Sequence, residues 1–348
     1  MTTIELRQPD DWHVHLRDDE MLAAVVNYTA QRFRYAMVMP NLLPPVTSAE
    51  SAAKYQAKIL NHVPDSKSGF SPEMTLYCSD QVDLGDLRDG IEAGAIRAVK
   101  YYPAGATTNS AAGGQSMMDF MSLYEVLVET GARLLVHAES TDQTVDLFDR
   151  EAVFLERQLA AVCERLPELQ VTVEHVSTEA GIDFVAANDQ VVATITPHHL
   201  SKERSDLLAH GMKPDLFCKP IINAASDRDA LVKAATSGES SFFLGTDSAP
   251  HPTTAKYGPT AKAGIFNAAY GLEVVAEVFY QEGKLENLEA FASINGTKAY
   301  GVPVAETKIR LTRESVDADI ATTFTTTAGD EVVLFGTDEA ALWQVEQL

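Results

Sequence analysis

Two histidines and one arginine occupy alternate positions near the start of the chain, in the stretch 11–18, which reads Asp-Trp-His-Val-His-Leu-Arg-Asp. Because successive side chains of a β-strand point to opposite faces, a strand here would turn His13, His15 and Arg17 to one side. Imidazole nitrogens bind metal ions, and a guanidinium pairs with carboxylates. Burying such groups costs free energy unless they have partners, so the pattern predicts that the rest of the chain supplies them.

Four further residues with suitable chemistry stand at the ends of apolar, strand-like runs: Lys100, His137, His175 and Asp247. A single histidine at a strand end is more typical of a hydrogen-bonded core residue than of a metal ligand. Taken together, four histidines and an aspartate favour zinc, with cobalt or manganese as plausible substitutes. They are too many ligands for one tetrahedral ion.

Two neighbouring metal ions need a bridging ligand, and Lys100 is the candidate on an intervening strand end. An ammonium group cannot bind a metal. A lysine that carbon dioxide has converted to a carbamate offers two oxygens, and burial favours the deprotonated amine that this conversion requires. Considered alone, Lys100 has the alternative role of an ion-pair partner.

Apolar runs alternate with helical segments eight times along the chain. The predicted strands end near His15 and then cover 35–39, 74–78, 96–102, 133–137, 171–175, 191–196 and 241–247. Eight such units with continuously apolar strands predict an α/β fold, the closed (β/α)8 TIM barrel. An open doubly wound sheet is the alternative, but no GxGxxG motif follows the first strand. In a barrel the carboxyl ends of the strands meet on one face, which would bring the candidate ligands together.

No linker interrupts the 348 residues, so we predict a single domain over 1–348 with a small C-terminal appendage at about 307–348. The stretch 103–114 is rich in Ala, Gly, Thr, Ser and Asn, which predicts a mobile lid. His198 and His199 follow the seventh strand and are predicted to be structural or to support the ligands, because the metal site is already full.

The composition limits the classes of partner. With 50 acidic and 27 basic side chains the formal net charge is −23, spread along the chain without a basic block, which argues against nucleic acid and anionic membranes. An anionic substrate would approach against this field, so its site must be locally positive. Three widely spaced cysteines, and an N-terminus without an apolar signal segment, predict a cytoplasmic protein with reduced thiols.

The motifs around these residues closely resemble those of the bacterial class II dihydroorotases, in the amidohydrolase superfamily. The resemblance runs from Thr3 to about Pro303. It is carried by the stretch 11–18, Val-Met-Pro-Asn at 38–41, Lys-Tyr-Tyr-Pro at 100–103, Ala-Thr-Thr-Asn at 106–109, Val-His-Ala-Glu at 136–139, Glu-His at 174–175 and Gly-Thr-Asp-Ser-Ala-Pro-His at 245–251.

The resemblance implies an enzyme of de novo pyrimidine biosynthesis that interconverts N-carbamoyl-L-aspartate and L-dihydroorotate. It implies two zinc ions per subunit, one held by His13, His15 and Asp247 and the other by His137 and His175. Carbamylated Lys100 and a hydroxide would bridge them, and Asp247 would carry the proton. The implied substrate-binding residues are Arg17, Asn41 and His251, the backbone around Ala263 and near Lys219, and Thr107 and Thr108 from the loop. The resemblance also implies a homodimer.

Some family members carry an apolar residue at the position of Lys219, so the resemblance leaves the role of that side chain open. Other readings of the sequence share the metal ligands. A hydantoinase or an isoaspartyl dipeptidase would lack the set Arg17, Asn41 and His251, and a non-catalytic scaffold would be expected to lose ligands. Without the resemblance, Asn41 is equally well a turn residue.

Overall fold

Eight parallel strands form the centre of the computed structural model, which describes residues 2–63, 69–314 and 319–348. The first strand, β1 (Thr2–Arg7), lies outside the barrel. The barrel strands follow one another in chain order: β2 (Asp11–Val14), β3 (Tyr35–Val38), β4 (Ser71–Tyr77), β5 (Ala98–Tyr101), β6 (Arg133–Val136), β7 (Val171–Val173), β8 (Val191–Ile195) and β9 (Phe242–Leu244). The predicted TIM barrel is confirmed. The strands are largely apolar because helices cover their outer side and side chains fill the interior.

Helices connect the strands and cover the barrel. The α-helices span Asp19–Arg32, Ala49–His62, Leu84–Glu92, Met121–Thr130, Arg150–Phe154, Ala160–Arg165, Glu179–Ala186, Pro197–Ser201, Arg204–Leu208, Ala225–Thr236, Thr253–Lys256, Gly271–Gln281, Asn295–Tyr300 and Thr337–Ala340. Leu155–Leu159 and Ala290–Ile294 are π-helical, and Met117–Phe120, Pro214–Leu216 and Leu285–Asn287 are 3₁₀-helical.

Local capping explains several helix ends. The side chain of Ser48 accepts a hydrogen bond from the backbone N–H of Ser51, and Gly131 ends its helix with a left-handed φ of 70°. The sequence pattern predicts one long helix from Asp146 to about Arg165, but the helix begins only at Arg150. Asp146 instead accepts a hydrogen bond from the N–H of Phe148 at 2.9 Å, a local turn that competes with helix formation.

The barrel closes between its first and last strands through a short seam. The backbone N–H of Asp247 donates to the carbonyl of His13 at 2.8 Å, and the N–H of His15 donates to the carbonyl of Ser248 at 3.0 Å. Beside this seam, both carboxylate oxygens of Asp11 accept hydrogen bonds from Thr246, at 2.8 and 2.6 Å. The backbones of three candidate ligands are therefore tied together at this seam. Asp247 is hydrogen-bonded to His13, and His15 is hydrogen-bonded to Ser248, the residue after Asp247.

An apolar layer supports the strand ends from within the barrel. Ala98 and Leu135 lie two residues before Lys100 and His137, so their side chains are on the same strand faces, one step deeper. They belong to one buried cluster with Trp12, whose ring stacks on Tyr300 at a centroid distance of 4.5 Å. Trp12 thus packs below the candidate site.

Both ends of the chain contribute to the small unit beside the barrel. The sequence predicted an appendage from about residue 307, but did not predict that β1 pairs antiparallel with β10 (Lys308–Arg313), which also pairs with β13 (Trp343–Gln347). A hairpin of β11 (Thr323–Thr325) and β12 (Glu331–Val333) completes it. None of the described helices is long and apolar enough to cross a membrane.

Candidate metal centre and substrate cavity

The six predicted metal-binding residues converge at the carboxyl ends of the barrel strands. His13 lies within β2, His15 directly follows it, Lys100 lies within β5, and the others follow β6, β7 and β9: His137, His175 and Asp247. Ring centroids are 5.3 Å apart for the first two histidines, and 4.7 Å apart for the last two. The structure therefore brings the whole predicted set together, and it buries all six side chains.

His13, His15 and Asp247 form the first group of ligands. Their ligand atoms lie within 4.8 Å of one another, and Oδ1 of Asp247 is 3.1 Å from Nε2 of His15 and 3.4 Å from Nε2 of His13. Burial lowers the pKa of both histidines. Burial acts to raise the pKa of Asp247, but the hydrogen bond with His15 and the charges of nearby histidines outweigh it and lower that pKa. Neutral imidazoles and an ionised carboxylate are the forms that bind a divalent cation.

His137 and His175 form the second group, with Nδ1 of the former 3.0 Å from Nε2 of the latter. The other nitrogen of His137, Nε2, lies 3.1 Å from a carboxylate oxygen of Glu139. A neutral imidazole has one proton, which belongs on the nitrogen that faces the carboxylate. The Nδ1 lone pair of His137 is therefore left free and points towards His175, as a metal ligand requires.

Lys100 is fully buried beside both groups, with Nζ 5.1 Å from the centroid of the Tyr102 ring. Its Nζ forms no hydrogen bond within residues 2–63, 69–314 and 319–348. Burial is the largest effect on the amine and lowers its pKa to about 8, although Glu174 and Asp247 act to raise it. The sequence left open that Lys100 is an ammonium group in an ion pair. The contacts of its Nζ do not support this alternative, because it forms no hydrogen bond with a carboxylate among the described residues. A large neutral fraction near pH 8 is what carbamate formation requires.

The donor set fits a pair of divalent cations. Nε2 of His13 and Nζ of Lys100 are buried and lack hydrogen-bond partners in the described part of the chain. Leaving a buried polar group unpaired costs about 1–3 kcal/mol. Cations between the two histidine groups, bridged through a modified Lys100, would satisfy both atoms.

Three groups orient the candidate ligands from behind. Nδ1 of His13 lies 2.7 Å from Glu174 Oε2, Nδ1 of His15 lies 2.9 Å from Asn41 Oδ1, and Glu139 faces His137 as described above. Metal-binding histidines usually direct their second nitrogen at such an acceptor, which fixes the ring and its tautomer. The sequence pattern alone did not predict these roles of Glu174 and Glu139. The available signal was an acidic residue one or two positions from a ligand histidine.

A second buried group, made of His198, His199 and Cys218, could hold a metal ion by distance alone. Its hydrogen bonds argue against this. Nδ2 of Asn267 donates to Nδ1 of His198 at 3.0 Å, so the ring proton lies on Nε2, which then has no lone pair to offer. Both nitrogens of His199 are within hydrogen-bond distance of oxygen atoms, a hydroxyl at 2.8 Å and a backbone carbonyl at 3.1 Å. These contacts agree with the structural role that the sequence predicts.

Arg17 lies beside the metal ligands, but not by the route predicted. The expected strand alternation is wrong for this residue, because β2 ends at Val14 and Arg17 has a left-handed φ of 61°. Its Nη2 donates to Nε2 of His251 at 3.1 Å. Burial and the charge of Arg17 lower the pKa of His251 to about 2, so this imidazole is neutral and the guanidinium supplies the positive charge. A cation with a forked donor geometry is suited to a carboxylate ligand.

Six of the seven predicted substrate-binding residues line one cavity beside the metal ligands; they are Arg17, Asn41, Thr107, Thr108, Lys219 and Ala263. The seventh, His251, is bonded to Arg17 as described, and the backbone of Ala263 also hydrogen-bonds to it. The loop 103–114 covers this cavity. Nδ2 of Asn41 donates to the carbonyl of Thr108 at 3.0 Å, and Nδ2 of Asn109 donates to the carbonyl of Asn41 at 3.0 Å.

Backbone strain is concentrated around these residues. Arg17, His175 and Asp247 have left-handed φ values of 61°, 43° and 46°. Residues other than glycine seldom adopt this conformation, which costs on the order of 1–3 kcal/mol each and is found mostly at functional sites. The surrounding seam and apolar layer must therefore hold these three backbones in place.

Comparison with known proteins identifies similar sequences over most of the chain. Residues 11–306 match the model of the amidohydrolase family. A dihydroorotase of Parasynechococcus marenigrum (strain WH8102) is 47% identical over 315 residues, which are 90% of this chain and 92% of that protein. A dihydroorotase of Chelativorans sp. (strain BNC1) is 44% identical over 348 residues, with 99% of this chain and 100% of that protein covered.

Solved structures of similar proteins have the same fold. A dihydroorotase from Saccharomyces cerevisiae, in complex with 5-fluoroorotic acid, has a TM-score of 0.90 and 29% identity, covering 100% of this chain and 99% of that chain. A dihydroorotase from Campylobacter jejuni has a TM-score of 0.87 and 32% identity, covering 99% of this chain and 97% of that one. An L-hydantoinase from Arthrobacter aurescens, at 16% identity and a TM-score of 0.75 over 93% of this chain and 78% of that one, shares the fold alone.

We expect Glu174→Ala to lower the affinity for metal at the group that contains His13. Loss of the carboxylate 2.7 Å from Nδ1 frees the ring to rotate and changes its tautomer, and such losses typically cost about 10–100-fold in metal affinity. Competition between the protein and a chelator for zinc measures the change. The exposed Glu168 provides the control, since Glu168→Ala removes an equal charge far from the ligands. Equal zinc affinities of Glu174→Ala and Glu168→Ala would contradict the orienting role.

Proposed function

The chain belongs to the amidohydrolase family and, within it, to the dihydroorotases, and we propose that it catalyses the reversible closure of N-carbamoyl-L-aspartate to L-dihydroorotate and water by a binuclear zinc mechanism. Amidohydrolases are generally metal-dependent. The observation that carries the zinc proposal is the buried Lys100, whose Nζ lacks a hydrogen bond within the described residues and lies beside two groups of candidate ligands.

We propose that His13, His15 and Asp247 hold one zinc ion, His137 and His175 the other, and N6-carboxylated Lys100 both. When bound, such a pair supplies a hydroxide nucleophile near neutral pH and polarises the carbonyl under attack. The lowered pKa values of the four histidines keep these ligands neutral before metal binds. The protein's own contribution is to bind the substrate, orient it, exclude water and move one proton.

The proton transfer falls to Asp247. In the ring-opening direction its carboxylate would accept a proton from the nucleophile and deliver it to the amide nitrogen that leaves the carbonyl carbon. Ring closure would reverse these steps. The lowered pKa of Asp247, which results from its histidine neighbours in spite of burial, keeps the carboxylate ionised and ready to accept the proton.

Substrate orientation depends on the carboxylate that both substrate and product retain. Arg17 and the neutral His251 would bind this carboxylate together with Asn41 and the backbone at Ala263. Thr107 and Thr108 would contact the substrate from the loop that covers the cavity, which would also limit the access of bulk water. The guanidinium of Arg17 would also offset the net charge of −23 for an incoming anion.

The hydantoinase alternative shares the fold and the metal chemistry. It gives no reason for the guanidinium bonded to His251 in the cavity, because a hydantoin ring carries no carboxylate that needs it. A scaffold without activity gives no reason for a full ligand set. The cytoplasmic location and the homodimer remain predictions from the sequence.

The direct test is an assay of purified protein with both substrates. We expect hydrolysis of L-dihydroorotate, the reverse synthesis from N-carbamoyl-L-aspartate, and about two equivalents of zinc per chain. Chelation should abolish both directions, and added zinc should restore them. Turnover of hydantoin without turnover of L-dihydroorotate would contradict the proposal in favour of the alternative.

We expect Arg17→Ala to raise KM for L-dihydroorotate about 10–100-fold without loss of bound zinc, because hydrogen bonds to charged groups contribute about 1.5–3 kcal/mol. Arg17→Lys should recover only part of the loss, since a lysine lacks the forked donor geometry. Steady-state kinetics and metal analysis of the same preparations measure both effects. The exposed Arg165 is the control, and Arg165→Ala should behave as wild type. An unchanged KM for Arg17→Ala would refute the carboxylate-binding role.

A further inference from the structure

Glu139 connects a ligand histidine to a lysine in the cavity wall. Its Oε2 accepts from Nε2 of His137 at 3.1 Å, and its Oε1 accepts from Nζ of Lys219 at 2.6 Å. Glu139 is 2% exposed, so its charge is almost completely removed from solvent. The carboxylate thus has one oxygen committed to the imidazole and the other to the cation.

The charge on Glu139 needs a close partner. A buried carboxylate without a cation is strongly unfavourable, and removing one partner of a buried pair is strongly destabilising because it leaves an uncompensated charge. The guanidinium of Arg150 is 3.8 Å away, beyond hydrogen-bond distance, whereas Lys219 makes a short bond. Lys219 is therefore the cation that fixes the direction of the Glu139 carboxylate.

The position of Lys219 adds a second connection. It lies in the loop after the 3₁₀-helix Pro214–Leu216 and lines the same cavity as Arg17 and Thr108. Its bond to Glu139 joins this loop to the segment that directly follows β6. The side chain thus spans from the cavity wall to the residue that orients His137.

We infer that Lys219 is a positioning residue for metal binding, which holds Glu139 so that His137 keeps the ring orientation and tautomer that a metal ligand requires. This inference rests on the proposed metal centre. It assigns to the Lys219 side chain a role that differs from substrate contact, and it places the effect on the ion at His137 and His175.

The test is metal retention by purified holoenzyme during challenge with a chelator. We expect Lys219→Met to lose the zinc equivalent held by His137 and His175 about tenfold faster than wild type. This is the lower end of the range for groups that support a ligand. Loss of the other equivalent should keep its wild-type rate. Lys219→Arg, which retains a cation, should lose zinc at the wild-type rates, and so should Lys213→Met, which removes an exposed lysine nearby.

A double variant separates the ion pair from simple packing. Glu139→Gln keeps an oxygen for His137 but removes the buried charge, so Lys219→Met combined with Glu139→Gln leaves no unpaired carboxylate. We expect this double variant to retain the second zinc longer than Lys219→Met alone, a non-additive result. If the double variant loses this zinc as fast as Lys219→Met does, the inference is overturned. A packing defect, unlike an unpaired charge, cannot be rescued by neutralising Glu139.

Kinetics at saturating zinc distinguish positioning from substrate contact. We expect Lys219→Met to lower kcat for L-dihydroorotate with KM changed less than twofold. A raised KM with wild-type zinc retention would overturn the inference and assign the side chain to the substrate. Wild-type protein that bound no zinc would overturn both this inference and the proposed function, whereas two zinc equivalents with unchanged loss rates in Lys219→Met would overturn the inference alone.

Discussion

The cost of burying four imidazoles, an amine and a carboxylate at one end of the barrel governs the rest of this structure. Such groups are stable in a low-dielectric interior only when each has a partner. Glu174, Asn41 and Glu139 form hydrogen bonds with the ring nitrogens of three histidines that point away from the centre of the cluster. The inward atoms of the cluster face one another, and metal ions are the partners that their chemistry fits.

The barrel holds the backbones of this cluster in fixed relative positions. Its closing seam bonds the backbone of Asp247 to that of His13, and Asp11 anchors Thr246 beside it. The buried layer around Trp12 packs against the strands below the site. The backbones of Arg17, His175 and Asp247 are strained. Part of the free energy gained from the surrounding packing therefore offsets the cost of this strain.

The periodicity of the sequence was sufficient to predict the barrel and its eight strands, and it placed the candidate ligands at or near the carboxyl ends of those strands. That these residues bind metal remains a prediction. The periodicity was insufficient for Arg17, whose left-handed backbone breaks the strand alternation. It also missed β1, since pairing of that strand with β10 joins residues about 300 positions apart and leaves no local signal. The role of Glu174 depends on which side chains meet across strands, because it faces His13, and spacing along one strand does not reveal this. Glu139 faces His137 only two residues away, but the spacing alone does not show that the two side chains point towards each other.

The proposed function depends on a two-zinc centre bridged by a modified lysine. A crystal structure with anomalous scattering measured on both sides of the zinc absorption edge tests it most directly. We expect two anomalous peaks about 3.5–4 Å apart, one beside His13, His15 and Asp247 and one beside His137 and His175, with electron density for a carbamate that extends from Nζ of Lys100 to both. A single peak, or an unmodified Lys100 beside two peaks, would contradict it.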